Sequence, residues 1–153
     1  MLFRSGMTTH ETTAVDDLST AQCWALLRES SVGRLAVSAD GQPDIFPVNH
    51  VVDHGSIVFR TALGTKLLGS AGRLVAFEAD GYDLSDATAW SVVVKGMARE
   101  IWEIDEAIDA LELPLFPWHA PPKPRFVRVE PVSVTGRRFH VTGGVRTPRP
   151  AES

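Results

Sequence analysis

Residues 59–67 read Phe-Arg-Thr-Ala-Leu-Gly-Thr-Lys-Leu, and four of them could hold an anion. Arg60 and Lys66 bring charge, and Thr61 and Thr65 bring hydroxyl donors. A phosphate dianion at a protein surface needs that mixture of donors and at least one cation. If Thr65 opens a helix, the free amides and dipole of its first turn act on the same point, and Gly64 lets the backbone come close. The same residues read equally well as a solvated turn with a helix cap at Thr65. They are not a nucleotide-binding P-loop: Gly64 and Gly69 have the spacing, but Ser70-Ala71 stands where Lys and a hydroxyl residue would be required.

A second stretch, Asp44-Ile45-Phe46-Pro47-Val48-Asn49-His50, places a proline inside a strand-like run. Pro47 has no N–H to give a ladder. Either the backbone there faces a flat polar ligand, or Pro47 guards a sheet edge against aggregation. On sequence physics alone the second reading is the stronger.

Other reactive residue types form weaker patterns. His50 and His54 bracket a turn and have no matching Cys, Asp or Glu set, so no metal site is expected. No GxSxG elbow or GxGxxG fingerprint occurs. Asp16-Asp17 and Asp80, Asp83 and Asp86 lie in polar segments that suit solvation, and no side chain is assigned as catalytic. Trp24, Trp102 and Trp118 are expected in a core or an interface. Cys23 is expected to be a buried helix residue; as the single cysteine it excludes an internal disulfide and a CxxC motif.

These residues must be positioned by short strands. Residues 1–17 are polar and expected to be disordered. Ser19 and Gln22 form a capping box, with Leu18 stapled onto Cys23, and the helix runs to Ser30. Arg34–Ser38, Ile45–Val52, Ser56–Thr61, Leu74–Glu78 and Trp90–Ile104 read as strands. Asp40-Gly41 and Asp53-His54-Gly55 are their turns, and Gly96 is a bulge or bend. Thr65–Ala71 and Asp105–Leu113 are helix candidates. Residues 79–88 read as a loop and 114–124 as a pinned proline-rich one. Phe126–Val129 and Val132–Val141 close the domain, which spans residues 18–141, and a flexible tail follows over 142–153. Strands with tight turns and few helices specify a mainly β fold, an antiparallel barrel.

Composition bounds the rest. The 153 residues suit one domain. A 44% hydrophobic and 22% charged makeup is that of a soluble globular chain. A net charge of −4 gives no reason to expect nucleic acid or an anionic membrane as partner. No apolar run reaches the ~20 residues of a membrane helix, and the N-terminus lacks a signal peptide, so a cytoplasmic location is expected. Met7 competes with Met1 as the start.

The ordered set VGRLAV, PDIFPVNHVVD, GSIVFRTALGTKL, LVAFEAD, WSVVVKGMA and FVRVEPVSVTGRRF resembles the pyridoxamine 5′-phosphate oxidase-like family, also called the flavin and deazaflavin oxidoreductase split barrel. The likeness covers roughly residues 18–140; FPVNH, FRTALGTKL and WSVVVKG carry it. It implies a split β-barrel homodimer with FMN, or the deazaflavin F420, between subunits. On that resemblance Pro47, Val48 and Asn49 meet the polar edge of the ring, with the amide of Val48 or Asn49 near its N5. Arg60, Thr61, Thr65 and Lys66 hold the phosphate. Trp90 and Ser91 approach the ring from the partner subunit.

The implied activity is hydride or electron transfer to or from a small organic substrate. The alternative is a dimeric carrier or sensor of a flavin, F420 or, less favoured, haem, with His50 or His119 as ligand. Arg138-Phe139-His140 echoes a substrate-phosphate pair of the oxidase itself, but it follows Pro131 too soon and the chain ends too early. A true pyridoxamine phosphate oxidase is therefore not expected. The lack of a histidine near Arg60 also counts against the nitroimidazole reductase group.

Overall fold

A computed structural model describes residues 13–39, 41–61, 73–101 and 125–141. The expected helices over 65–71 and 105–113, the loop 114–124, and the side chains of Thr65, Lys66, Trp102, Trp118 and His119 lie outside them. So do residues 1–12 and the tail.

Seven strands and one helix follow in the order β1 (Thr13–Asp17), α1 (Thr20–Glu29), β2 (Val32–Ala39), β3 (Gln42–Asp53), β4 (Ser56–Thr61), β5 (Arg73–Asp83), β6 (Thr88–Glu100) and β7 (Arg125–Val141). All pairings are antiparallel. The sheet runs β1-β7-β4-β3-β2-β5-β6, and β6 pairs again with β7. Six strands therefore close on themselves, and β1 is laid against the C-terminal end of β7. This is the expected β-barrel.

The helix starts as its sequence dictates. The Ser19 hydroxyl accepts from the Gln22 amide at 3.1 Å, and the Gln22 side chain accepts from the Ser19 amide at 2.8 Å. Its apolar stripe puts Cys23 and Leu27 into the barrel core with Leu35, Val48, Ile57, Phe59, Phe77, Val92, Val94 and Val127. Leu18 and Trp24 pack on the margin of that cluster. A smaller cluster of Val58, Ile101 and Phe126, with Val51 beside it, covers the opposite face of β4.

Three expectations are corrected. Residues 13–17 are not disordered: they form β1, an edge strand whose register sets Asp16 opposite Arg138 and Asp17 opposite Arg137, and whose Asp16 carboxylate lies 3.0 Å from His140. Residues 79–88 are not a loop. Buried Phe77 and Ala79 alternate with outward Glu78 and Asp80, the strand itself continues to Asp83, and only residues 84–87 turn. The closing strands are one strand, not two, because a bulge absorbs Pro131. Register jumps between Lys95↔Ser133 and Gly96↔Pro131, which leaves Val132 as the extra residue. Gly96 is needed there, since a Cβ would lie 2.1 Å from the Glu130 carbonyl oxygen.

Candidate functional site at the open edge of β3

Strand β3 is longer than either of its neighbours' contacts with it. It pairs with β2 over Gln42–Asn49 and with β4 only over His50–Asp53. Among the described residues no strand covers the other side of Gln42–Asn49.

The polarity of that uncovered edge follows from the ladder. The His50 amide donates to the Ser31 carbonyl at 3.0 Å, and antiparallel pairs alternate between bonded and non-bonded. The amides of Val48, Phe46 and Asp44 therefore point at β2, and positions 43, 45, 47 and 49 point away from it. Pro43 and Pro47 both fall on the outward set and carry no N–H. The Ile45 amide donates to its neighbour's Asp44 Oδ1 at 3.1 Å. Asn49 alone retains an unclaimed outward position for a donor on this stretch. Of the two amides implied for a ring nitrogen, Val48 is turned into the β2 ladder and its side chain is in the core, 3% exposed; Asn49 has the suitable direction.

Register brings Arg60 to the same place. His50 pairs with Phe59, so Asn49 and Arg60 are the next positions on their strands and share the face that carries Val51 and Val58. Arg60 pairs with Phe126 on β7, and its guanidinium carbon lies 6.0 Å from the Phe126 ring centroid. Its Nε is buried and has no hydrogen-bond partner. A buried guanidinium donor without an acceptor is costly, and an anion at this corner would satisfy it. Thr61 follows Arg60 in β4 and pairs through its backbone with Arg125.

Trp90 and Ser91 are elsewhere in the chain. They lie on β6, three strand spacings from β3 through β2 and β5, about 14 Å. They also face opposite sides. Ser91 is outward between Asp80 and Arg137. Trp90 packs against the core cluster, its indole over Gly81, where a Cβ would stand 2.9 Å from Nε1. One chain thus assembles Pro47, Asn49 and Arg60 and leaves Ser91 apart.

Three features were missed by the sequence reading. The first is Pro43, whose four-residue spacing from Pro47 puts both on one side of a strand; that signal was available. The second is His50, which is 3% exposed. Its Nε2 is 3.0 Å from the Leu27 carbonyl, so the ring donates there and ties β3 to the last turn of α1. Its ring meets Phe77 edge-on, with centroids 4.7 Å apart, and burial pushes its pKa down. That commitment leaves it badly placed as a haem ligand. The third is a charge cluster on the outer face, where Arg34 Nη1 reaches Glu78 at 2.9 Å and Asp80 at 3.3 Å. His140, by contrast, serves strand docking, its Nε2 lying 3.0 Å from Asp16, and Arg138 is the register partner of Asp16 on the same strand pair. No cluster of potential metal ligands occurs among the described residues.

Comparison with known proteins bears on this arrangement. The family model described as pyridoxamine 5′-phosphate oxidase matches residues 19–138. Uncharacterized protein Rv0080 of Mycobacterium tuberculosis is 35% identical over 140 residues, 88% of this chain and 90% of that one. A solved structure from Corynebacterium glutamicum is 40% identical with a TM-score of 0.77, covering 84% of this chain and 100% of that one. The FAD binding protein from Mycobacterium smegmatis is 41% identical with a TM-score of 0.70, covering 82% of this chain and 98% of that one.

Proposed function

The chain belongs to the pyridoxamine 5′-phosphate oxidase family, and from that premise we propose that it is a homodimeric flavin-dependent oxidoreductase acting on a small organic molecule. FMN is the proposed cofactor, with F420 as the alternative; the Mycobacterium smegmatis relative is named for FAD, which presents the same ring as FMN. The observation that carries this reading is the buried, partnerless Nε of Arg60 beside the uncovered edge of β3.

The chain's own groups then have distinct tasks. Arg60, Thr61, Thr65 and Lys66 hold the phosphate, and Arg60 gives a planar fork of donors where a lysine such as Lys66 gives a compact point charge. Pro47 and the Asn49 amide border the ring. Trp90 and Ser91 belong to the other subunit's site, because within one chain they are remote from Arg60. The bound flavin supplies the hydride or electron chemistry, and the protein supplies position, electrostatics and exclusion of water.

Dimerisation has support in the outer face. Register aligns Ile45, Ala36 and Ala76 in one row, with Leu74 and Met97 paired one step away. Ile45 is 61% and Leu74 59% exposed. The row ends at exposed Lys95, the partner of Ala76, so these are exposed apolar side chains bordered by charge, a composition suited to the margin of an association surface.

A visible spectrum of the purified protein, followed by titration with FMN, FAD and F420, tests the reading. A flavin spectrum bleached by NAD(P)H supports the enzyme. A protein that takes up none of the three contradicts it. The second reading, a carrier without catalysis, is favoured by one observation: the relative just named is described by binding alone. Tight binding with no bleaching by NAD(P)H would select it.

A further inference from the structure

Resting on the flavin reading above and its assignment of Ser91 to the other subunit's site, we infer that the outward cluster of Arg34, Glu78 and Asp80 is the proton donor for the reduction carried out there. Register places the cluster. Arg34 is the register partner of Pro47 on one side and of Glu78 on the other. Asp80 is the register partner of Ser91. The cluster therefore fills the outer face between two positions assigned to the ring's surroundings: Pro47 in its own site and Ser91 in the neighbouring one.

One guanidinium nitrogen holds both acids. Arg34 Nη1 lies 2.9 Å from Glu78 and 3.3 Å from Asp80. Two carboxylates drawn to one nitrogen repel each other, and a proton shared between them relieves the repulsion. Partial burial and the hydrogen bond between the two carboxyl groups raise Glu78 to about 7 against the pull of Arg34. The pair thus keeps a proton near neutrality, where a general acid is most effective. The other groups on this face are Val93, the register partner of Glu78 on β6, with Ser91 and Lys95 on either side of it, and Arg137 on β7 beyond Ser91. Lys95 and Arg137 favour the charged pair once the proton has left.

Two-electron reduction of a polarised double bond adds a hydride, supplied by the reduced cofactor, to one atom and a proton to the other. The pair gives that proton: its O–H bond breaks as an O–H or C–H bond forms on the substrate. Water on the exposed side of the cluster returns a proton to the carboxylate. A reduced nicotinamide dinucleotide restores the electrons to the flavin.

The test uses the FMN-loaded protein, reduced with stoichiometric dithionite and mixed by stopped flow with one of two oxidants. Menadione, a quinone, takes up a hydride at one oxygen and a proton at the other; ferricyanide takes electrons alone. In the wild type the ratio of the menadione rate to the ferricyanide rate should fall as pH rises through about 7. Glu78→Gln should remove that break and lower the ratio on its acid side about a hundredfold, the lower end of what a positioned proton donor contributes. Carboxyl ¹³C NMR of the same protein gives a readout independent of rate. One glutamate carboxyl should titrate near pH 7 and be missing from Glu78→Gln, and Asp80→Asn should move its midpoint down toward 4.5. A ratio that is flat with pH and unmoved by Glu78→Gln, or a Glu78 carboxyl titrating near 4.5 in the wild type, overturns the proton inference and leaves the flavin reading standing. Failure to take up FMN overturns both.

Discussion

Arg60 and Phe126 face each other across β4 and β7, the guanidinium carbon 6.0 Å from the ring centroid. The aromatic face holds the cation by a weak quadrupole attraction without consuming any of its N–H donors. An arginine braced in this way keeps its hydrogen-bonding capacity for something else, and its buried Nε has no partner.

Replacing Arg60 with Ala should weaken FMN binding by about 1.5–3 kcal/mol, the cost of a lost hydrogen bond to a charged group. Lys66→Ala should cost a similar amount if it shares the phosphate. Fluorescence titration of the two variants measures this. Undiminished affinity in the Arg60 variant would remove that residue from the site, and with it the observation on which the functional proposal rests.

The native mass should be twice the 16.7 kDa of the chain. The reasons are the apolar row Ile45, Ala36 and Ala76 on the outer face and the separation of Ser91 from Pro47 within one chain. Multi-angle light scattering on the purified protein decides it. A monomer that still binds FMN at full affinity would mean that Trp90 and Ser91 have no part in the site.

The strand content was legible because period-2 alternation is strong wherever β-branched and aromatic residues supply it. Ser56–Thr61 was bounded correctly, as was the capping box at Ser19. The errors fell where alternation is carried by polar side chains. Asp80 and Tyr82 hold outward positions of β5, as Glu78 does at the end of the expected strand, but their types read as loop; β1 was lost for the same reason. The site was half legible. Arg60 and Asn49 fall at adjoining register positions next to the His50↔Phe59 pair, a neighbourhood the two motifs allow to be read from the intervening hairpin, whereas the direction of each backbone amide depends on which pairs in a ladder are bonded. That was settled by a non-local contact, His50 with Ser31, which no local pattern encodes.

Gly33→Ala should destabilise the barrel by about 1–3 kcal/mol, as overpacking of a core does. An added Cβ would stand 2.2 Å from the Phe77 ring and 2.7 Å from the Glu78 carbonyl oxygen. The second contact is backbone and cannot rotate away. Because Gly33 is the register partner of Val48, the damage should also reach the β3 edge. Chemical denaturation together with FMN titration checks both effects. A variant with unchanged stability would show that the Phe77 ring shifts freely, which its contact with His50 argues against.

Two buried or half-buried titrating groups should tilt stability in opposite directions with pH. Partial burial, reinforced by the Asp80 carboxylate, pushes Glu78 from 4.5 up to about 7 despite the opposing pull of Arg34. The folded state therefore binds the proton more tightly than the unfolded chain, and this contribution to stability is full below about pH 4.5 and is lost as pH rises through about 7. Burial acts on His50 with the other sign, lowering its pKa from 6.5 against the favourable bond to Leu27. Its contribution is present above pH 6.5 and is lost as pH falls below that value. Glu78→Gln should thus flatten the decline in Tm on the way up to neutrality, and His50→Gln should flatten the decline on acidification. The glutamine at position 50 can still donate to the Leu27 carbonyl, so packing and hydrogen bonding are largely kept while the titration is removed. Melting curves at half-unit pH steps from 4 to 8 separate the two slopes. If both variants follow the wild-type profile, neither group is coupled to folding, and the Arg34, Glu78 and Asp80 cluster exchanges its proton with solvent as freely in the barrel as in the unfolded chain.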